Sequence, residues 1–218
     1  MTLKVVNVIL NIAKEIKLDL KTNKISYSKE SGFHGDQMTD RKGCFCYLLD
    51  NHTSVQGMRE LVVEKAGSIL CLDEQEQNSD VTMATDVFKH KEYRHGGNCL
   101  FVYPAQSNFS GRKYPLQWIK MVHNNEMTFQ GQHQGHWYVG LDAAAFVCTS
   151  KLDLDLYSPD FVTLSFYKMF GIPTGLGALL VRNESAVVLK KKYFGGGAVS
   201  VSSAKEMFHV LRPSLSDG

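Results

Sequence analysis

The feature that most constrains the fold of this chain is a regular alternation, from residue 44 onward, of short apolar runs with segments of helical periodicity. Runs that stay apolar on both faces are expected in a parallel sheet covered by helices on both sides. The chain is therefore predicted to adopt an α/β fold with a mostly parallel sheet. The strand-like runs are CFCYLLD, SILCLD, CLFVYPA, WYVGLDA, FVTLSF and GALLVRN, and the helical segments are SVQGMRELVVEKAG, PLQWIKMVHNN and ESAVVLKKKYF.

Two stretches interrupt this alternation. The first, MTLKVVNVILNIAKEI, predicts an amphipathic helix, and the polar residues 21–42 after it lack apolar periodicity, which predicts loop or disorder. The second is a polar insertion from Glu74 to Asn98. The sheet is therefore expected to begin with the run that starts at Cys44.

The composition excludes several classes of protein. The 218 residues are 44% hydrophobic, enough for one core, and a net charge of +2 is too weak to indicate binding of nucleic acid. No run reaches the roughly 18 apolar residues that a membrane span needs, so no membrane contact is expected. The five cysteines form an odd set without a C-x-x-C pair, which favours a reducing compartment, and we expect a cytoplasmic protein.

Polar residues follow four of the predicted strands at the points where the strands end. His52 follows CYLLD, Asn108 follows FVYPAQS, Asp142 ends WYVGLD, and Lys168 lies just past FVTLSF. Ligands of α/β sheets bind outside the carboxyl ends of the strands. The sequence therefore predicts a site that brings these four side chains to one edge of the sheet.

Lys168 is flanked by apolar residues and by glycines that permit close backbone approach. An amine in an apolar pocket has a lowered pKa and becomes a nucleophile able to form a Schiff base with a carbonyl compound. A surface lysine whose stem covers apolar neighbours is the competing interpretation, and the segment by itself does not decide between them. The neighbours in question are Phe166, Tyr167, Met169, Phe170, Gly171, Gly175 and Gly177.

If Lys168 forms a Schiff base, Asp142 and His52 become candidate contacts of the same cofactor. Pyridoxal phosphate works as an electron sink only while its ring nitrogen is protonated, and a buried carboxylate can hold that proton. Asp142 could serve in this way, or it could simply cap the turn after its strand. His52 could stack on the flat ring, or it could be an ordinary exposed or hydrogen-bonded histidine.

Other motifs carry weaker signals. The sequence HQGH, residues 133–136, with His123 nearby, could hold a metal, but a Gln- and Gly-rich loop without carboxylates or thiols favours a solvated loop. Cys44 and Cys46 lie on one face of a predicted strand and are expected in the core. GIPTGLG lacks the G-K-[ST] ending of a phosphate-binding Walker loop, and no G-x-S-x-G nucleophile motif is present.

Five segments, in order along the chain, resemble the N-terminal domain of the molybdenum cofactor sulfurases, which share the class V aminotransferase fold with the cysteine desulfurases. The resemblance implies the large domain of a pyridoxal-phosphate-dependent transferase of the aspartate aminotransferase type. The segments are CYLLDNHTSVQGMRE, FVYPAQSNFSGRKYPLQWI, LDAAAFVCTSKLDL, FVTLSFYKMFGIPTGLGALLV and KKYFGGGAVS.

The resemblance also implies a role for each candidate residue. Lys168 would attach pyridoxal 5'-phosphate covalently, and Asp142 would pair with the ring nitrogen. His52 would stack on the ring, Asn108 would lie near the ring hydroxyl, and Ser165 would bond the phosphate. No metal is implied in this site.

Substrate and partners follow from the same resemblance. Members of this family take sulfur from L-cysteine, pass it to an enzyme thiolate and deliver it to the molybdenum cofactor. They are homodimers, and Tyr193–Gly197 resembles a loop that lies near the cofactor phosphate of the opposite subunit.

The resemblance divides the chain into three parts, with a partial large domain over residues 43–200. Residues 1–42 match poorly and lack the glycine-rich turn that cradles the phosphate in the family, and residues 201–218 would start the small subdomain. The family's sulfur-accepting cysteine would lie beyond Gly218. We therefore expect a fold truncated at both ends, and three hypotheses remain: an incomplete sulfurase domain, a small cysteine or selenocysteine lyase, or a non-catalytic fragment that associates with a full-length homologue.

Overall fold

The computed structural model describes residues 43–73, 83–89, 96–127, 129, 135–171, 176–189 and 199–211. Within these ranges the strands are β1 (Cys44–Leu48), β2 (Ser68–Asp73), β3 (Met83–Lys89), β4 (Asn98–Pro104), β5 (His136–Asp142), β6 (Phe161–Ser165), β7 (Gly177–Val181), β8 (Val199–Ser202) and β9 (His209–Leu211). The α-helices are α1 (Thr53–Gln56), α2 (Arg59–Val62), α3 (Gln117–His123), α4 (Leu154–Tyr157) and α5 (Phe166–Phe170). Two 3₁₀ helices cover Phe146–Cys148 and Asn183–Val188.

Seven strands form one sheet in the order β3-β2-β1-β4-β5-β6-β7. The five inner strands are parallel to one another, while β3 and β7 are antiparallel to their neighbours at the two edges. The prediction of an α/β fold with a mostly parallel sheet is confirmed. Strands β8 and β9 form a separate antiparallel pair.

The sheet separates two apolar clusters because successive side chains of a strand point to opposite faces. On one face α3 packs through Trp118, Ile119 and Val122, and on the other α1 and α2 pack through Val55, Met58 and Val62. Both faces of the inner strands are therefore buried, which explains why these strands read as unbroken apolar runs. The strand residues of the first face include Leu48, Phe101, Tyr103, Val139 and Leu141, and those of the second include Phe45, Tyr47, Leu100, Val102 and Tyr138.

Several elements differ from the sequence prediction. The single helix predicted for SVQGMRELVVEKAG is two short helices, α1 and α2, and α4, β8 and β9 were not predicted. The polar insertion from Glu74 to Asn98 contains β3, which among the described strands pairs only with β2. A strand at an edge has one free flank and tolerates charged residues such as Asp86 and Lys89, so the apolar pattern is weak there. The helix predicted for ESAVVLKKKYF is a 3₁₀ helix from Asn183 to Val188, and residues 190–194 lie outside the described part.

The helix predicted for the first 16 residues and the polar segment after it also lie outside the described residues. None of the helices in the described ranges has the length and apolar character needed to cross a membrane.

Candidate active site at the carboxyl edge of the sheet

Four neighbouring parallel strands, β1, β4, β5 and β6, present their carboxyl ends at one edge of the sheet. His52 follows β1, Asn108 follows β4, Asp142 is the last residue of β5, and Lys168 lies in α5 directly after β6. The structure thus brings to one edge the four residues that the sequence placed at strand ends.

Asp142 lies at the centre of this group and is only 3% exposed. Its Oδ1 accepts hydrogen bonds from the Ala144 amide at 3.0 Å and from Thr163 Oγ1 at 3.4 Å. Its Oδ2 accepts one from Asn108 Nδ2 at 3.4 Å. The carboxylate therefore caps the turn that follows β5 with one oxygen and faces the site with the other.

Lys168 is half-buried on the short helix α5, and its Nζ donates a hydrogen bond to Asn108 Oδ1. Of the two interpretations left open by the sequence, the structure favours neither a wholly apolar pocket nor a free surface lysine, because the amine has a polar partner that follows β4, two strands away, while Phe170 is exposed. Gly171 ends α5 with a φ of 82°, and a Cβ there would meet nothing within 4 Å. Glycine is needed there for the left-handed backbone rather than for close approach. Gly175 lies outside the described residues.

Asn108 connects the lysine and the aspartate. Its side-chain carbonyl accepts from Lys168 while its amide group donates to Asp142. Since Asn108 is itself exposed, this chain of contacts opens to solvent on one side. An amine, an amide and a buried carboxylate are thereby in continuous contact.

His52 caps the N-terminus of α1, where its Nδ1 accepts from the Ser54 amide at 3.2 Å and lies 2.8 Å from Ser54 Oγ. Partial burial lowers the pKa of His52, the charge of Asp142 raises it, and the charge of Lys168 lowers it. The net effect is a pKa below the usual 6.5. The ring is thus mainly uncharged at neutral pH, and its pKa depends on the charges of Asp142 and Lys168.

Ser165 is the last residue of β6 and is 1% exposed. Its hydroxyl has no hydrogen-bond partner among the described residues. A buried hydroxyl without a partner costs free energy, which a ligand oxygen nearby could recover.

Two polar residues at or near this sheet escaped the sequence analysis. Asn51 donates from Nδ2 to the carbonyl oxygens of Leu48 and Val102, both at 3.0 Å, and so ties the ends of β1 and β4 together. Asp160, just before β6, binds His123 Nε2 at 2.8 Å. His123, considered above with HQGH, therefore has a carboxylate partner that its neighbours in sequence did not reveal.

The other candidate motifs do not form a site in the described part of the chain. No cluster of potential metal ligands occurs among the described residues, and residues 130–134, which include the first two residues of HQGH, lie outside them. Cys44 and Cys46 are buried in the core, as predicted. Burial raises the pKa of Cys99 to about 12, so this thiol stays protonated, whereas Cys148 is exposed.

Sequence comparison relates the chain to known families. The family model of class-V aminotransferases matches residues 84–213. Molybdenum cofactor sulfurase of Bombyx mori is 48% identical over 176 residues, which are 78% of this chain and 21% of that protein. The Danio rerio and Homo sapiens proteins of the same name are 47% and 45% identical, again over 78% of this chain. The chain spans about a fifth of the length of these relatives.

Comparison of structures relates the fold to that of cysteine desulfurases. The cysteine desulfurase CsdA of Escherichia coli superposes with a TM-score of 0.57 over 80% of this chain and 40% of that chain, at 17% identity. A complex of the cystine C-S lyase C-DES with cysteine persulfide gives 0.53 over 78% and 43%, at 15% identity. At these identities the likeness concerns the fold alone.

Proposed function

Because the chain belongs to the class-V aminotransferase family, we propose that it carries the pyridoxal-phosphate site of a cysteine desulfurase that supplies sulfur to the molybdenum cofactor. The observation that carries the proposal is the continuous contact from Lys168 through Asn108 to Asp142 at the carboxyl edge of the sheet. The relatives at 45–48% identity are molybdenum cofactor sulfurases, which favours this chemistry over the other reactions of the family.

The chemistry of these side chains suits pyridoxal phosphate. A primary amine is connected through the Asn108 amide to a buried carboxylate, and the charges of both the amine and the carboxylate shift the pKa of a mainly uncharged imidazole. In addition, the buried Ser165 hydroxyl has no partner among the described residues, as expected of a group that bonds an absent anion. Lysine, aspartate and an aromatic ring are the set that a pyridinium cofactor requires.

The proposal gives each residue a role toward the cofactor. Lys168 would hold pyridoxal phosphate covalently, and its Nζ would accept and return a proton of the substrate carbon. Asp142 would keep the ring nitrogen protonated, and His52 would stack on the ring. Asn108 would bond the ring hydroxyl, and Ser165 would donate to the phosphate. When bound, pyridoxal phosphate withdraws electron density from the substrate, which makes its sulfur transferable.

The proposed substrate is L-cysteine, and the sulfur passes to a thiolate and from there to the molybdenum cofactor. None of the five cysteines of this chain is assigned as that thiolate. Cys44, Cys46 and Cys99 are buried, and burial keeps a thiol protonated and unreactive. The free thiols suit the cytoplasm, and a homodimer is part of the proposal.

Covalent labelling tests the attachment of the cofactor. The purified chain is incubated with pyridoxal phosphate, reduced with borohydride, digested and mapped by mass spectrometry. A phosphopyridoxyl group is expected on Lys168, and the visible absorbance of the Schiff base should vanish in Lys168→Ala. Lys151→Ala is the matched control, because Lys151 is an exposed lysine whose amine pairs with Asp153. Label on no lysine, or equal label in Lys168→Ala, would overturn the proposal.

Turnover of L-cysteine tests the reaction itself. Alanine and sulfur on a thiol acceptor are the expected products, and they should be absent with Lys168→Ala. Alanine with free sulfide, released in the presence of a small-molecule thiol as reductant and without a protein acceptor, would indicate the cysteine or selenocysteine lyase alternative. Label at Lys168 without any product, together with co-purification of a longer homologue, would indicate a non-catalytic subunit.

A further inference from the structure

The chain that follows β4 folds back on itself and carries Asn108 at its tip. We call residues 105–114 the site hairpin. The Tyr114 amide donates to the Ala105 carbonyl at 3.0 Å, and the Ser107 amide donates to the Arg112 carbonyl at 2.8 Å. The turn is closed by Gly111, which has a φ of 75° and donates to the Ser107 carbonyl at 3.2 Å.

One carboxylate outside the hairpin accepts hydrogen bonds from three hydroxyl groups of the hairpin. Asp50, two residues after β1, accepts from Ser107 Oγ at 2.9 Å with its Oδ1. Its Oδ2 accepts from Tyr114 OH at 2.8 Å and from Ser110 Oγ at 3.3 Å. Asp50 thus holds the base of the hairpin and both sides of its tip.

Ser107 links Asp50 to the backbone around Asn108 through hydrogen bonds. Its Oγ, while donating to Asp50, accepts from the amides of Phe109 at 3.1 Å and Ser110 at 3.0 Å. Ser107 is buried, whereas Asn108, Phe109 and Ser110 are exposed and have little packing to fix them. The position of Asn108 therefore depends on hydrogen bonds rather than on packing.

We propose that Asp50 is a positioning residue, which fixes the site hairpin so that Asn108 reaches both Lys168 and Asp142. The hold on Asn108 follows from the contacts above, and its consequence for the cofactor rests on the function proposed in the preceding section. Asp50 touches neither Lys168 nor Asp142 in the set of hydrogen bonds between described residues, so it acts through Asn108.

Asp73 provides a matched control. It ends β2, the strand beside β1, and lines the same open cavity of about 420 Å³ as Asp50. It makes no hydrogen bond to the site hairpin within the described part of the chain. Asp73→Asn therefore removes the same charge from the same cavity without loosening the hairpin.

Hydrogen exchange of the chain without cofactor tests directly whether Asp50 fixes the site hairpin. In Asp50→Asn, one side-chain oxygen becomes an amide that cannot accept, and exchange at Phe109 and Ser110 should accelerate about tenfold or more. Tyr114→Phe deletes one of the three hydroxyls and keeps the ring against Trp118, so a smaller acceleration is expected. Asp73→Asn should exchange like the unchanged protein. Unaltered exchange in both Asp50→Asn and Tyr114→Phe would overturn the proposal.

A double-mutant cycle tests whether Asp50 acts through Asn108. The affinity for pyridoxal phosphate, measured by fluorescence titration, should fall about tenfold in Asp50→Asn. The same change made in Asn108→Ala should have little further effect, whereas a merely structural loss would add to that of Asn108→Ala. Additive losses would refute action through Asn108. If the unchanged chain binds no pyridoxal phosphate, the proposed function fails, while the exchange experiment still decides what Asp50 holds.

Discussion

Two aspartates of this protein are buried to the same degree, and their surroundings differ. Asp142, at the carboxyl end of β5, and Asp160, just before β6, are each 3% exposed. Asp160 accepts from the Val139 amide at 2.7 Å, from His123 Nε2 at 2.8 Å and from Ser185 Oγ. Asp142 accepts one bond of 3.0 Å and two of 3.4 Å.

The difference separates a structural carboxylate from a candidate catalytic one. Burial alone would raise the pKa of Asp160, but the bonds from His123, Ser185 and Val139 outweigh burial and leave its pKa below the usual value. These partners come from α3, β5 and the 3₁₀ helix Asn183–Val188, so Asp160 joins elements that are distant in sequence. In Asp142, by contrast, Oδ2 accepts a single hydrogen bond of 3.4 Å, and its donor, Asn108, is exposed. Both carboxylates accept three hydrogen bonds, so the lengths of these bonds distinguish the two residues better than their number or their burial does.

Replacement of Asp160 should cost the most stability. In Asp160→Asn one acceptor oxygen becomes a donor facing the groups that now donate to it, and at least one buried group loses its partner. We expect a loss of about 3 kcal/mol in the free energy of unfolding. Urea denaturation followed by circular dichroism measures it. A loss no greater than that of Asp142→Asn would break the contrast between the two residues.

Replacement of Asp142 should cost function more than stability. Asp142→Asn keeps the size of the side chain and an acceptor for the Ala144 amide, so the free energy of unfolding without cofactor should fall by only about 1 kcal/mol or less. Retention of pyridoxal phosphate after dialysis should fall steeply, because a neutral amide cannot hold a proton on the ring nitrogen. A variant that keeps the cofactor as well as the unchanged protein does would remove Asp142 from the proposed site.

The fold could be predicted from the sequence where burial on both faces leaves an unbroken apolar run. The run SILCLD coincides with β2, and CLFVYPA and WYVGLDA contain all but the first residue of β4 and of β5, respectively. The strand β3 escaped prediction because an edge strand is not selected for apolar residues on both faces.

The candidate site was predictable to the extent that strand ends define it. Parallel strands end at one edge, so Asn108, Asp142 and Lys168 could be expected to meet. Asp50 could not be identified in this way, because its partners Ser107 and Tyr114 are 57 and 64 residues away and only the fold brings them close. Asp160 escaped for the same reason, since His123 lies 37 residues earlier.

The smallest expected effect is a shift in the pKa of His52, to which the charge of Asp142 contributes and that of Asp160 does not. Asp142 raises the pKa of His52 against the lowering by burial and by Lys168. Removal of the Asp142 charge in Asp142→Asn should therefore lower the pKa of His52 further, whereas Asp160→Asn should leave it unchanged. Titration of the imidazole signals by NMR measures both, and a shift of equal size in the two variants would contradict the assignment of Asp142 to the neighbourhood of His52.

The same pKa predicts how stability depends on pH. The folded-state pKa of His52 lies below the 6.5 of an unperturbed histidine, so the unfolded chain binds the proton first. The contribution of His52 to stability is full above pH 6.5, declines as the pH falls below it, and is lost once the pH has passed the folded-state pKa. In His52→Gln this part of the decline should be absent, because glutamine does not titrate. Since Asp142→Asn lowers the folded-state pKa further, the decline in that variant should extend to lower pH, and a decline that ended at the same pH would separate His52 from Asp142.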